Sequence, residues 1–416
     1  MIELGLSRIT RLLRDTPIPW RAIHVAGTNG KGSVCAYASA MLNAGKIKCG
    51  RFTSPHLIDR WDCITIDEKT VDEGLFHEVE AVVRSKDQIE DIKASEFELL
   101  TATAFEIFNR AKVEVGIVEV GLGGRYDATN VLQEPSITVI TKIGRDHQSL
   151  LGDNLEDIAY QKAGIMKKGV SCMVDGTNYP SVVETLRNYA RDIDAGSLVL
   201  VPQDTGRATQ VWSLVQKDPF EPHQQANICL AFEAVSFLLA QIHPSLDPHS
   251  LAPAIQTTVW RGRLQLLSIE SLTGRKQAIL LDGAHNVQSA EVLGSYVDRK
   301  LREATSPVTW VVAASKGKDV PGLLSRFVRP GDNLIAVEFR PVEGMPWVAP
   351  QEVKAIMAAA RSLGRLKQTK EGPRELVGAL QLATQYANEG PLVVAGSLYL
   401  VSDVLRLFRQ VEQALH

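Results

Sequence analysis

The sequence predicts an α/β protein built as two blocks, each a parallel-rich sheet flanked by helices. Three observations carry this. Apolar runs of strand length alternate with helical patterns through the first half. The same alternation returns, more compactly, in the last third. The runs are continuously apolar rather than strictly alternating, as expected of strands covered on both faces.

In chain order, Ile23-His24-Val25-Ala26 reads as a strand, and Lys31 to Ala44 as a helix. Val34, Tyr37, Ala38 and Met41 lie on one helical face, and Gly45 stops the helix. Val115 to Val120 and Ile137 to Ile143 are the next strands. Asp153-Asn154-Leu155-Glu156-Asp157 opens a helix, with a polar cap and acids in its first turn. Gly196 to Pro222 is rich in turn residues and charge, and reads as a long loop or small subdomain around a β-hairpin. A polar stretch from Arg263 to Ser271 marks the boundary, giving domains of residues 1–264 and 265–416. Beyond it Ala278 to Leu281, Val308 to Ala313, Asn333 to Val337 and Leu392 to Ala395 read as strands, and Ser289 to Leu301 as a helix.

The 416 residues allow two or three domains, and the 45% apolar content supports sizeable cores. A net charge of −3 with both signs interspersed points to neither a nucleic acid nor a membrane as partner. Cys35, Cys49, Cys63, Cys172 and Cys229 form no C-x-x-C pair and are odd in number. They read as reduced thiols, not as a disulfide framework or zinc site. No basic segment followed by an apolar core opens the chain, and no run of transmembrane length is expected. The cytoplasm is the expected compartment, a mitochondrial address the alternative.

The most informative segment is Val25-Ala26-Gly27-Thr28-Asn29-Gly30-Lys31-Gly32-Ser33. Its glycines let backbone N–H groups wrap a phosphate, and Lys31 adds a positive charge. Ser33 offers a hydroxyl to Mg²⁺. Gly32 separates Lys31 from Ser33, so the spacing departs from G-x-x-x-x-G-K-[ST]. Ligands of open α/β sheets sit beyond the carboxyl ends of strands, and other candidates fall there. Glu119 suits Mg²⁺, a hard cation that prefers oxygen; the alternative is a polar residue where a strand leaves the core. His147 is equally a capping or core histidine.

Lys162 follows Leu155 by seven and Ile158 by four, so it shares their apolar face. A buried lysine needs a partner or an altered charge; the alternative is a side chain that snorkels to water. Asp282-Gly283-Ala284-His285-Asn286 ends one strand and opens a helix. It suits ribose hydroxyls, a phosphate or a metal-bound water, and equally a turn with a helix cap. Arg263, in Trp260-Arg261-Gly262-Arg263, is a phosphate clamp or a solvated linker charge.

Taken together, five motifs occur in the order of one family: Gly27 to Ser33, Thr53-Ser54-Pro55-His56-Leu57, Glu119 to Asn130 (EVGLGGRYDATN), Lys162-Ala163-Gly164-Ile165 and Asp282 to Asn286. Over essentially the whole chain they resemble the folylpolyglutamate synthase and dihydrofolate synthase branch of the muramyl ligase superfamily. Ile2 to Thr10, Glu96 to Thr101, Glu343 to Trp347 and Gly396 to Leu400 are most similar to its fungal dihydrofolate synthases. The resemblance implies an N-terminal P-loop ATPase domain and a smaller C-terminal Rossmann-like domain.

It also implies roles. Thr28, Asn29, Gly30, Lys31, Gly32 and Ser33 hold the ATP phosphates. Ser33 and Glu119 bind one Mg²⁺, and His147 helps bind a second. Lys162 matches a lysine that the family carbamylates, which turns a buried cation into a carboxylate-like ligand. Asn227 and Arg263 contact the nucleotide, Asp282 its ribose, and His285 lies beside the reacting phosphate and amino acid. Ser54, Pro55 and His56 match a mobile loop near the pterin, Phe97 lines the pterin-side pocket, and Arg125 and Asp127 fall to the substrate. A monovalent cation is a further candidate cofactor. Two departures stand out: Arg261 replaces the usual proline of Trp-Pro-Gly-Arg, and Arg145 precedes Asp146-His147 where a smaller or apolar residue is commoner.

The implied reaction is ATP-dependent ligation of L-glutamate to 7,8-dihydropteroate through an acyl phosphate, giving 7,8-dihydrofolate, by a monomer. The nearest alternative is folylpolyglutamate synthase, or a bifunctional enzyme. From other classes, a nucleotide-switch binding module and a small-molecule kinase share the phosphate loop.

Overall fold

The computed structural model describes residues 5–201, 211, 220–302, 306–364 and 366–415. The chain forms two units. The first comprises Met1–His56 and Trp61–Val259; the second comprises Trp260–His416 together with Leu57–Arg60.

The first unit carries β1 (Arg21–Ala26), β2 (Cys49–Phe52), β3 (Ile64–Ile66), β4 (Lys69–Thr70), β5 (Val115–Glu119), β6 (Ile137–Ile140), β7 (Cys172–Asp175) and β8 (Leu198–Val201). Their order is β4-β3-β2-β5-β1-β6-β7-β8. β2, β5, β1, β6, β7 and β8 pair parallel in that order, while β3 pairs antiparallel with β2 and β4 antiparallel with β3. The expected strands at Ile23, Val115 and Ile137 are β1, β5 and β6. Pairing of Val25 with Glu119 and of Ala26 with Ile140 sets their carboxyl ends side by side. The loops that carry the site chemistry therefore start next to one another.

Both faces of this sheet are covered, which is why its strands read as unbroken apolar runs. Helices Lys31–Ala44 and Pro222–Ile242 share one core with Ile23, Val25, Ile117 and Val139. Helices Glu73–Ile89 and Glu96–Ala111 share the other with Phe52 and Val118. Pro222–Ile242 corrects one expectation: with a mean hydropathy of 1.4 over 18 residues it is long and apolar enough to cross a membrane. Its Ile228, Leu230, Ala231 and Val235 are buried in the core instead. Of the stretch Gly196 to Pro222, β8 is the parallel neighbour of β7. The hairpin expected there otherwise lies largely outside the described residues.

The second unit orders its strands β13-β12-β11-β14-β10-β9. These are β9 (Gln265–Leu267), β10 (Ile279–Leu281), β11 (Thr309–Val312), β12 (Asn333–Ala336), β13 (Gln368–Glu371) and β14 (Leu392–Ala395). All pair parallel except β9, which runs antiparallel to β10. The polar stretch Arg263 to Ser271 thus contributes an edge strand to the second sheet. Leu57–Arg60 is added to this unit from far away in sequence. Ile58 is buried in its core, Arg406 Nη2 donates to the Ile58 carbonyl at 2.6 Å, and Arg409 grips both oxygens of Asp59. All five cysteines are buried free thiols.

Candidate nucleotide and metal site

β1 ends in the turn Gly27–Gly30, and helix Lys31–Ala44 follows at once. The turn is tied to the end of β6. Thr28 N and Asn29 N donate to the Lys142 carbonyl at 2.9 and 3.1 Å. Thr141 Oγ1 donates to the Asn29 carbonyl at 2.8 Å, and Thr28 Oγ1 to the Gly144 carbonyl at 3.0 Å. Two glycines are required here by geometry. Gly27 has φ +152°, and a Cβ there would overlap Thr141 Oγ1; Gly30 has φ +94°, and a Cβ there would overlap Asn227 Oδ1. The buried Asn227 of helix Pro222–Ile242 is thereby seated on the phosphate turn. Gly30 supplies no side-chain cap to the helix, so its first N–H groups suit an anionic ligand.

Lys31 Nζ lies 3.7 Å from Glu119 Oε1 and donates to the Thr28 carbonyl at 3.4 Å. Glu119, 5% exposed, accepts the Ser54 N–H at 3.2 Å through Oε2. The buried strand-end carboxylate of Glu119 and the half-buried hydroxyl of Ser33 in the first turn of the helix are hard oxygen donors. Such oxygens suit a hard cation such as Mg²⁺. Among the described residues no group of three or more His, Cys, Asp or Glu forms a metal cluster. His147, which the resemblance assigns to a second ion, has a half-exposed side chain, φ +51° and no side-chain capping bond to the helix it precedes.

Lys162 does not snorkel. It is 5% exposed, and its Nζ donates to the Gly27 carbonyl at 2.7 Å, 135 residues away in sequence. Burial first, and then the Lys31 charge, lower its pKa to about 7; Asp146 and Asp127 oppose the shift. Near neutral pH about half of the amine is therefore in its neutral form.

The glycine-rich segment after Glu119 packs on the helix that carries Lys162. A Cβ on Gly124 would meet the Lys162 carbonyl at 2.8 Å, and one on Gly121 would overlap the Phe97 ring, which also stacks on Phe52 at 6.1 Å. Arg125 N donates to the Gln161 carbonyl. The Arg125 guanidinium lies over Tyr126 and Tyr160, the second ring at 5.5 Å, whereas Lys162 is on the buried face of that helix. Asp127 is 2% exposed; burial pushes its carboxyl up, while bonds from Thr129, Leu122 and Gly121 oppose this. Ser54 precedes a cis bond to Pro55, and His56 is buried.

In the second unit, Asp282 accepts Leu264 N at 2.8 Å and Ala284 N at 2.9 Å. Burial raises its pKa, and Arg263 opposes the rise. His285 Nδ1 lies 2.9 Å from the Gly283 carbonyl. A carbonyl only accepts, so Nδ1 carries a proton and donates it. Sequence reasoning missed Thr141, the clasp of the phosphate turn. Its one local signal was a hydroxyl inside the apolar run Ile137 to Ile143.

A glycine turn leading into an uncapped helix, a lysine over it and a strand-end carboxylate define a nucleotide-binding α/β unit of the P-loop class. Comparison with known proteins narrows this. Residues 25–174 match the Mur ligase middle domain, and residues 265–407 the C-terminal domain of dihydrofolate synthetase. A probable dihydrofolate synthetase of Schizosaccharomyces pombe is 37% identical, covering 98% of this chain and 99% of that protein. The folylpolyglutamate synthase of Mycobacterium tuberculosis complexed with ADP and AMPPCP superposes with a TM-score of 0.80 at 26% identity, covering 97% and 95% of the two chains. A bifunctional folylpolyglutamate synthase/dihydrofolate synthase of Yersinia pestis, complexed with AMPPNP and a Mn ion, gives 0.78 at 25% identity over 98% and 94%. The chain belongs to the dihydrofolate synthase and folylpolyglutamate synthase family of Mur-type, amide-forming ligases.

Proposed function

We propose that this chain ligates L-glutamate to 7,8-dihydropteroate with cleavage of ATP to ADP and phosphate. The observation that carries this reading is the end-to-end likeness to the Schizosaccharomyces pombe protein. The site chemistry supports it. A carboxylate oxygen of the acceptor acid attacks the γ-phosphorus, ADP leaves, and an acyl phosphate forms. The glutamate amine attacks the acyl carbon and loses its proton. The tetrahedral intermediate then expels phosphate, which carries away one original carboxylate oxygen.

The turn Gly27–Gly30 and the helix start orient the triphosphate through N–H groups, and Lys31 offsets charge on the transferred phosphoryl group. Ser33, Glu119 and His147 would hold Mg²⁺, which when bound neutralises phosphate charge. The neutral amine of Lys162 would add to CO₂ with loss of a proton, and the resulting carbamate would offer an anionic oxygen in place of an ammonium charge. In the second unit, Arg263, Asp282 and His285 keep the nucleotide and amino-acid roles that the family resemblance implies for them.

With ¹⁸O in the acceptor carboxylate, one label per turnover should reach inorganic phosphate; unlabelled phosphate would end the proposal. The second reading, glutamate addition to an existing folate tail, is favoured by the likeness to the Mycobacterium tuberculosis and Yersinia pestis proteins. Supplying dihydropteroate and tetrahydrofolate separately, with ATP and glutamate, decides between them by which one drives ADP release. The switch and kinase alternatives fall away with membership of an amide-forming ligase family.

A further inference from the structure

Three buried side chains form a polar chain beneath the site. His24 on β1 places Nε2 2.9 Å from Thr129 Oγ1. Thr129 Oγ1 donates to Asp127 Oδ1 at 2.5 Å, and Thr129 N donates to the same oxygen at 3.0 Å. Asp127 Oδ2 accepts Leu122 N at 2.8 Å, and the Gly121 N–H also bonds this carboxylate. Four donors thus occupy a carboxylate with about four acceptor positions. The directions follow. Thr129 gives its only hydroxyl proton to Asp127, so it accepts from His24, whose ring carries its proton on Nε2. Burial lowers the His24 pKa to about 3 and keeps the ring neutral. His24 Nδ1 is buried with no hydrogen-bond partner. An unsatisfied buried acceptor is a standing penalty, retained here with the ring whose other nitrogen supports Thr129.

The chain of bonds links three parts of the site. His24 lies three residues before Gly27. Gly121 and Leu122 lie two and three residues after Glu119. Asn130 Nδ2, next to Thr129, donates to the Gly164 carbonyl at 3.0 Å, just beyond the helix that carries Lys162. We propose that Asp127, supported by Thr129 and His24, is a positioning residue that fixes the Glu119 carboxylate for metal binding, rather than a substrate ligand. This rests on the nucleotide and metal reading above. A rigid loop after Glu119 keeps its side chain in one direction, as partners behind metal ligands do.

The test uses the full chain and reads free Mn²⁺ by electron paramagnetic resonance during titration with AMPPCP present. Thr129→Val removes the hydroxyl and keeps the shape; Asp127→Asn turns an acceptor toward an N–H into a donor. Each should weaken Mn²⁺ binding about tenfold, Thr129→Ser should restore it, and metal-free ADP affinity should stay at the wild-type level. If both folded variants bind Mn²⁺ like wild type, or lose metal-free ADP binding in parallel, the inference is overturned. A raised KM for the acceptor acid with Mn²⁺ binding intact in Asp127→Asn would return Asp127 to the substrate. Wild-type protein that fails to bind Mn²⁺ with the nucleotide would strike the nucleotide and metal reading itself.

Discussion

Two strand-to-helix corners of this molecule share one outline and differ in how the helix begins. After β1, Gly30 holds φ +94° and offers helix Lys31–Ala44 no side-chain cap. After β10, Asn286 caps helix Val287–Lys300: its Oδ1 accepts Ser289 N at 2.9 Å, and the Ser289 hydroxyl returns the bond. The first corner offers its helix no side-chain acceptor, whereas the second satisfies the Ser289 N–H internally. On the same topology, the residue before the helix decides whether the first-turn N–H groups are free for an anion or partly capped by a side chain. Lysine marks the difference too, since Lys31 and Lys162 both converge on the first corner.

The comparison yields graded tests. Lys31→Ala should lower ATP turnover by roughly 10²–10³-fold, measured as ADP release; undiminished release would remove the functional side of the contrast. Lys162 should make stability depend on pH. Its native pKa of about 7 lies below the ordinary 10.5. Between these values the unfolded chain holds a proton that the native chain has lost, so stability rises with pH by about 1.4 kcal/mol per unit. Below pH 7 both states are protonated and the slope vanishes. Denaturant melts in CO₂-free buffer, with Lys162→Met as the flat reference, measure it. Equal slopes for the two proteins would show that the lysine ionises normally.

Gly30→Ala should destabilise by about 1–2 kcal/mol through its left-handed backbone and weaken ADP binding by displacing Asn227. Unchanged calorimetric binding would mean that the tight turn is dispensable. The smallest effect is expected of Asn286→Ala, about 1 kcal/mol of stability from the lost cap. A melting temperature equal to wild type would dissolve the contrast between the corners.

Much of the first unit was legible locally. β1, β5 and β6 are long apolar runs, and the phosphate turn announces itself by its glycines. β2 was not legible: Cys49-Gly50-Arg51-Phe52 is short and mixed, and its strand state comes from pairing with β5 and β3, with Gly50 leaving room for the Phe108 ring. β3, β4, β7 and β8 are no longer than β2. Lys162 was legible as a conflict between charge and helical face; that its Nζ reaches the Gly27 carbonyl was not. The role of Asp127 was hidden, because its donors come from residues 121, 122 and 129 and its support from residue 24 on another strand.

By itself the sequence determined the α/β class, the place of the anion-binding turn, and the strand-end and helix-face positions of Glu119 and Lys162. Those depend on periodicity and on glycine stereochemistry, both local properties. Only the tertiary structure decided that Thr141 clasps the turn, that Asn227 seats on Gly30, and that Leu57–Arg60 joins the second unit. Pairing register and burial arise from contacts between residues distant along the chain, and no local pattern encodes which distant partner arrives.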